Sequence, residues 1–100
     1  MESTVFIEFD KIRELATNID IFIDQIDKDI KLSEDIINNI EGGIWVGEDA
    51  TKFCITFKNE NIANLKQVKK ILEEDRRFLE NVPKVYEILD SEMKQEKVEV

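Results

Sequence analysis

The sequence predicts an all-α protein: an antiparallel two-helix hairpin that dimerises into a four-helix bundle. Two long stretches carry apolar residues at alternating steps of three and four, all three glycines lie between them, and the 100 residues include one proline. This spacing gathers apolar side chains on one side of a helix. The length predicts a single helical-hairpin domain, residues 1–100.

The first helix is predicted over residues 6–40, because no Gly or Pro interrupts that stretch. Its apolar residues recur as a heptad, a seven-residue repeat whose first and fourth positions (a and d) face the partner helix. Positions a and d hold Phe9, Ile12, Ala16, Ile19, Ile23, Ile26, Ile30, Ser33, Ile37 and Ile40. Leu15, Phe22 and Ile36 add a third apolar column, which is typical of a multi-helix bundle.

The turn is predicted at residues 41–48. Paired glycines, Gly42 and Gly43, end a helical stretch, since Gly tolerates the left-handed backbone that caps a helix. Glu48 and Asp49 suit the first turn of a second helix, where exposed N–H groups favour negative charge. So short a connection requires the helices to pack antiparallel.

The second helix is predicted over residues 49–82, again with apolar residues at steps of three and four. The predicted stripe holds Leu65, Val68, Leu72, Leu79, Val82, Tyr86, Leu89 and Met93. Asp75 also falls on this stripe. Upstream, Ala50, Phe53 and Phe57 keep helical spacing, but residues 58–61 interrupt it. We therefore expect a register shift or a weak point there.

Pro83 predicts a kink or a helix end near Val82, because an interior proline removes a backbone hydrogen bond and clashes with the preceding turn. Residues 84–96 would then form a semi-independent helical tail. In an alternative, this tail folds back as a third helix.

The two stripes predict a dimer or bundle core. It consists of Ile12, Ile19, Ile23, Ile26, Ile30, Ile37, Leu65, Val68, Leu72 and Leu79. A lone hairpin buries one face of each helix, which at this length hardly offsets the chain entropy lost on folding. A second hairpin is the simplest source of the missing layer.

The charge balance argues against several classes of partner. The net charge is −9, from 23 acidic and 14 basic side chains, which repels phosphate backbones, so nucleic-acid binding is not expected. The longest stretch without a charge, Gly42 to Gly47, is far shorter than the ~20 apolar residues of a membrane helix. No membrane insertion is therefore expected.

No enzyme is expected, and no catalytic, metal-binding or cofactor-binding residue is predicted. With no His and one Cys, the chain lacks the parts of a zinc site and of a Cys/His nucleophile pair. Cys54 lies in the apolar run Phe53-Cys54-Ile55, which favours a small buried hydrophobe over a reactive thiol. The expected chemistry is association.

Two motifs carry a family resemblance. Trp45-Val46-Gly47 stands near mid-chain, followed by Ala50 and Phe53, and Tyr86-Glu87-Ile88-Leu89-Asp90 lies near the C-terminus. Together with the length, the hairpin pattern and the acidic balance, they resemble the WXG family of small proteins exported by type VII (ESX-type) secretion systems in Gram-positive bacteria and mycobacteria. The second motif matches the Tyr-Xaa-Xaa-Xaa-Asp/Glu export signal of that family.

The resemblance implies secretion without a cleaved signal peptide, from a cytoplasmic pool. The acidic start, Met1-Glu2-Ser3-Thr4, is unlike the basic start of a conventional signal. The resemblance also implies that Trp45 and Gly47 of one subunit, with Tyr86 and Asp90 of its partner, form a surface recognised by the type VII secretion ATPase. The partner would be a second copy, as a homodimer, or a related WXG- or LXG-type helical protein.

Alternatives remain for the motifs and for the protein. Trp45 also suits an apolar plug at the end of the bundle, and Tyr86 suits a core position on the stripe. The chain could be an accessory or chaperone subunit that binds the N-terminal helical domain of a larger type VII toxin. It could also be a cytosolic coiled-coil adaptor.

Overall fold

A computed structural model describes the backbone of residues 7–99 and the side chains of residues 7–84. Helix α1 spans Phe9–Asn39, α2 spans Glu48–Thr56 and α3 spans Ala63–Glu99, and the described residues form no strand. The chain reverses between α1 and α2, and α1 packs against α3. The predicted all-α hairpin is confirmed.

Helices α2 and α3 form one helical arm, joined by a π-helical segment at Phe57–Ile62. The backbone stays in the right-handed helical region at both junctions, Phe57 and Ala63, so the arm is continuous. A π-turn places more residues in a turn than an α-helix does and shifts the following helix in register. The shift predicted at residues 58–61 is thus confirmed.

Burial shows which residues form the seam between the two arms. On α1 the buried and half-buried positions include every predicted a and d residue, from Phe9 to Ile40. On the second arm the seam comprises Ala50, Cys54, Phe57, Ile62, Leu65, Lys69, Leu72, Arg76, Leu79 and Pro83, and Val82, beside Pro83, is half-buried as well. The steps of this seam are three or four residues throughout, except for the step of five from Phe57 to Ile62 across the π-helical segment.

The best-buried part of the core lies near the turn. Ile26, Ile30 and Ile37 of α1 pack there with Cys54 of α2 and Ile62 of the π-helical segment, and Ile37 is only 2% exposed. Cys54 is buried at 5% exposure, as predicted for a small hydrophobe. The other predicted core residues are half-buried, except Val68.

Lys69 and Arg76 occupy the seam where the sequence pattern points to Val68 and Asp75. Val68 lies beside the seam and is 42% exposed, and Asp75 is exposed. The predicted Leu65, Leu72 and Leu79 stay on the seam, but in the phase that the π-helical segment sets for α3, the seam positions between them are Lys69 and Arg76. Long basic side chains tolerate such positions, since their stems cover apolar surface while their charged heads reach water or an acid.

Pro83 lies inside α3, which continues to Glu99. The helix end considered at Val82 is therefore wrong, and the chain after Pro83 does not fold back as a third helix. The molecule is consequently long and thin, with extents of 79 × 25 × 19 Å. Its radius of gyration is 22.8 Å, against about 13 Å for a compact chain of this length.

Candidate recognition surfaces of the hairpin

The turn is built from a π-helical end of the first arm and two glycines with left-handed backbone. Residues Ile40–Ile44 form the π-helical end, within which Gly43 has φ 109°. Trp45 then adopts an extended conformation, and Gly47, with φ 133° and ψ 178°, precedes α2. Side chains rarely adopt these values of φ, so glycine is required at both positions.

Trp45 lies at the tip of the hairpin, beside an aromatic residue of the second arm. Its ring centroid is 5.7 Å from that of Phe53, which stacks on Phe57 at 5.5 Å. Trp45 nevertheless stays 44% exposed. The indole therefore packs against the end of the hairpin while presenting one side to solvent, and this geometry serves a structural plug and a recognition element alike.

A groove of about 260 Å³ runs beside Trp45 at the tip. Its lining includes Val46, Ala50, Cys54 and Ile55, together with Lys58 and Glu41, which form an ion pair. Lys58 Nζ donates to Glu41 Oε1 at 2.6 Å, which joins the π-helical segment to the last turn of the first arm. This hydrogen bond raises the pKa of Lys58 above its ordinary value.

One flank of the seam is lined with ion pairs between the arms, and we call it the charged flank. Asp20 pairs with Arg76 at 2.9 Å and Asp27 with Lys69 at 2.6 Å, and further along lies the pair of Glu41 and Lys58. Asp20 and Asp27 are seven residues apart, and so are Lys69 and Arg76. Both pairs therefore fit the same antiparallel alignment of α1 and α3. The hydrogen bond to Asp27 raises the pKa of Lys69.

The opposite flank of the seam is apolar. The ion pairs fix which side of each helix lies on the charged flank. On α1 it is the side of Asp20 and Asp27, and on α3 it is the side of Glu73 and Glu80, which pair with Lys69 and Arg76. The residues on the opposite side of the seam in α1 and in α3 therefore lie together on a second flank. We call this face the apolar flank. It holds Leu15, Phe22, Leu32 and Ile36 of α1 and Val68, Ile71 and Phe78 of α3, each between 41% and 71% exposed.

The four predicted recognition residues are not brought together within this single chain. Trp45 and Gly47 lie at the tip, whereas Tyr86 and Asp90 belong to the far part of α3, past Pro83. The side chains of Tyr86 and Asp90 lie outside the described residues. A surface containing all four would need a second chain.

Comparison of the chain with family models, with curated proteins and with solved structures gives no match. Among the described residues, no helix is long and apolar enough to cross a membrane. The same residues contain no cluster of three or more Cys, Asp or Glu side chains that could bind a metal ion.

The spacing of apolar residues did not predict the ion pairs of the charged flank, because it carries no information about them. A signal for them is present in the sequence, since Asp20 and Asp27 repeat at seven residues, as do Lys69 and Arg76. In an antiparallel hairpin, equal spacing of opposite charges on the two arms is the pattern that lets both pairs form at once.

Proposed function

We propose that this protein is a WXG-type helical hairpin that pairs with a second helical chain and is exported by a type VII secretion system or escorts cargo to it. The paired Trp-Xaa-Gly and Tyr-Xaa-Xaa-Xaa-Asp motifs act as the signal. The observation that carries the proposal is Trp45, which stands at the reversal of an all-α hairpin, braced by Phe53 and 44% exposed. A tryptophan in that position is accessible to another protein without any unfolding.

The surface area of the chain supports pairing. A compact protein of 11.7 kDa has about 5,900 Å² of accessible surface, whereas this chain has 8,248 Å². A standard protein interface takes about 800 Å² from each partner. The excess area is therefore large enough for a partner. Burial of the apolar flank would stabilise the complex most, because this flank exposes large hydrophobic side chains.

Separation of the two motifs also supports pairing. Trp45 lies at one end of the hairpin, and Tyr86 and Asp90, four residues apart in α3, lie past Pro83 toward the other. A partner of the same architecture, aligned in the opposite direction, brings its own C-terminal segment to the Trp45 turn. The two motifs then form one composite surface for the secretion ATPase.

Escort of a larger toxin is the second candidate function. The apolar flank is consistent with it, since an exposed apolar face suits a helical domain of a different protein as well as it suits a small export partner. Co-expression with the N-terminal helical domain of a type VII toxin separates the two candidates. Escort predicts that the toxin is exported only in the presence of this chain.

A secretion assay in the producing strain tests the proposed signal. Trp45→Ala, and separately Tyr86→Ala combined with Asp90→Ala, should remove the protein from the culture medium while leaving its cellular level unchanged. Val46→Ala is the matched control, because Val46 is the neighbour of Trp45 and is 82% exposed, so its export should equal that of the wild type. Unchanged export of the Tyr86 and Asp90 double variant would refute the signal.

A further inference from the structure

The apolar flank contains two acidic residues, one on each helix. Asp29 lies midway between Phe22 and Ile36, seven residues from each, in the column that begins with Leu15. Asp75 lies midway between Val68 and Val82 on α3. In both columns the residues one heptad before and one heptad after are apolar, and a carboxylate stands between them.

Within the part of the chain whose side chains the structure describes, no base neutralises either carboxylate. Asp29, which is half-buried, accepts a hydrogen bond from Gln25 at 3.0 Å, and among the described residues neither it nor Asp75 forms an ion pair. The acids of the charged flank differ in this respect, since Asp20 and Asp27 each have a base from α3. Asp29 and Asp75 can therefore form ion pairs with basic side chains of a partner.

A second copy of this chain could not supply the missing bases. From Leu15 to Ile36 and from Val68 to Val82, the columns of the apolar flank include no Lys or Arg. A symmetric pair that shared this face would enclose four carboxylates in an apolar layer. Burial of unpaired like charges is strongly unfavourable, and it acts against wrong partners.

We propose that the partner covering the apolar flank is a different helical chain, one that places Lys or Arg side chains opposite Asp29 and Asp75 within an otherwise apolar face. This inference rests on the proposed function, because that function requires a helical partner. It adds the chemistry of the partner and excludes the homodimer. The net charge of −9 acts in the same direction, because a less acidic partner lowers the total repulsion.

A partner with this chemistry can be made from the chain itself. The variant Asp29→Lys with Asp75→Lys keeps the apolar flank and reverses both of its charges. Because both positions are reversed together, any alignment that would set carboxylate against carboxylate in a wild-type pair sets carboxylate against ammonium in the mixed pair. Analytical ultracentrifugation of wild type, variant and an equimolar mixture, all as full-length chains, then measures each association.

The wild type alone and the variant alone should be monomeric, and the mixture should form a 1:1 complex. We expect a Kd for the mixed complex at least ~100-fold below the self-association constant of either chain, because opposite charges replace like charges at two positions. The matched control, Asp35→Lys with Glu74→Lys, changes two exposed acids outside the flank by the same charge and should form no complex with the wild type.

A second variant keeps the test informative if the lysine variant does not fold. Asp29→Asn with Asp75→Asn removes the charge at nearly constant size and should self-associate at least ~10-fold more tightly than the wild type. A stable wild-type homodimer, or a mixture in which the lysine variant and the wild type stay apart, would overturn the inference. Either result would leave the export role of Trp45 and Tyr86 standing, since the secretion assay measures that role independently.

Discussion

The two arms of the hairpin share a heptad pattern, yet only one of them keeps it unbroken. Helix α1 repeats its seam positions for 31 residues without a change of phase. The second arm has the same steps of three and four on both sides of Phe57–Ile62 but takes one step of five across it. Its two halves thus follow the same repeat one residue out of phase.

This difference determines which stripe of α3 faces α1. With regular α-helical spacing after Phe57, the seam would pass through Val68, Ile71, Asp75 and Phe78. With the π-helical segment, it passes through Lys69, Leu72, Arg76 and Leu79, which are all half-buried. A single extra residue therefore leaves an apolar stripe on the outside and places two bases where they can pair with the acids of α1.

The largest effect is expected from a deletion that changes the phase of α3, compared with one that only removes the extra residue of the π-helical segment. Deletion of Asn59, which is exposed, should convert the π-helical segment to regular α-helix with the seam kept, and should change the free energy of unfolding by less than about 1 kcal/mol. Deletion of Gln67, also exposed, should rotate the rest of α3 away from α1 and remove more than about 4 kcal/mol. Urea denaturation followed by circular dichroism measures both. Equal losses for the two deletions would contradict a phase set at Phe57–Ile62.

A smaller effect separates the seam from its flank at two neighbouring positions of α1. Ile37, 2% exposed, is in the buried cluster, and Ile37→Ala should lower the free energy of unfolding by about 2–4 kcal/mol, through lost contacts and a residual cavity. Ile36→Ala, on the apolar flank at 41% exposure, should cost about 1 kcal/mol or less in the monomer. The same denaturation measurement compares them, and a reversed order would mean that the flank, and not the seam, faces α3.

The turn offers a comparison between two glycines. Gly47, with φ 133°, has a backbone conformation nearly restricted to glycine, so Gly47→Ala should destabilise the fold by about 1–3 kcal/mol. Gly42 lacks a positive φ and has open space around its Cα, so Gly42→Ala is the control and should have little effect. Thermal unfolding of both variants measures the difference. Equal melting temperatures would show that the turn does not need the left-handed residue.

The smallest effect is expected on the charged flank. Lys69→Met should lower the melting temperature slightly at neutral pH, whereas the control Lys70→Met, at an exposed neighbour with no ion pair among the described residues, should not. Because the hydrogen bond to Asp27 raises the pKa of Lys69 above 10.5, its contribution is fully present below pH 10.5 and disappears as the pH rises through the raised value. The difference between Lys69→Met and wild type should therefore vanish in strongly alkaline buffer, and a difference that grows there would contradict the pairing.

The first arm and the turn were predictable from sequence because their signals are unambiguous. In the first arm the a and d positions are apolar from Phe9 to Ile40 except at Ser33, and paired glycines follow, so the pattern allows one helix and one stop. The second arm was harder, because Val68 and Phe78 are as apolar as Leu72 and Leu79 and lie next to them on the helix surface. Spacing alone cannot choose between adjacent stripes, and here the choice follows from the π-helical segment and from the acids that Lys69 and Arg76 reach.

Single cysteines at Phe78 and Leu79, introduced into a Cys54→Ala background and labelled with a maleimide, test which stripe of α3 faces α1. Phe78 is 71% exposed, whereas Leu79 lies on the seam. We expect Phe78→Cys to react nearly as fast in the folded chain as in denaturant, and Leu79→Cys to be strongly protected. A protected cysteine at position 78 beside a reactive one at 79 would mean that α3 faces α1 with its other stripe, and would overturn the seam through Leu72 and Leu79.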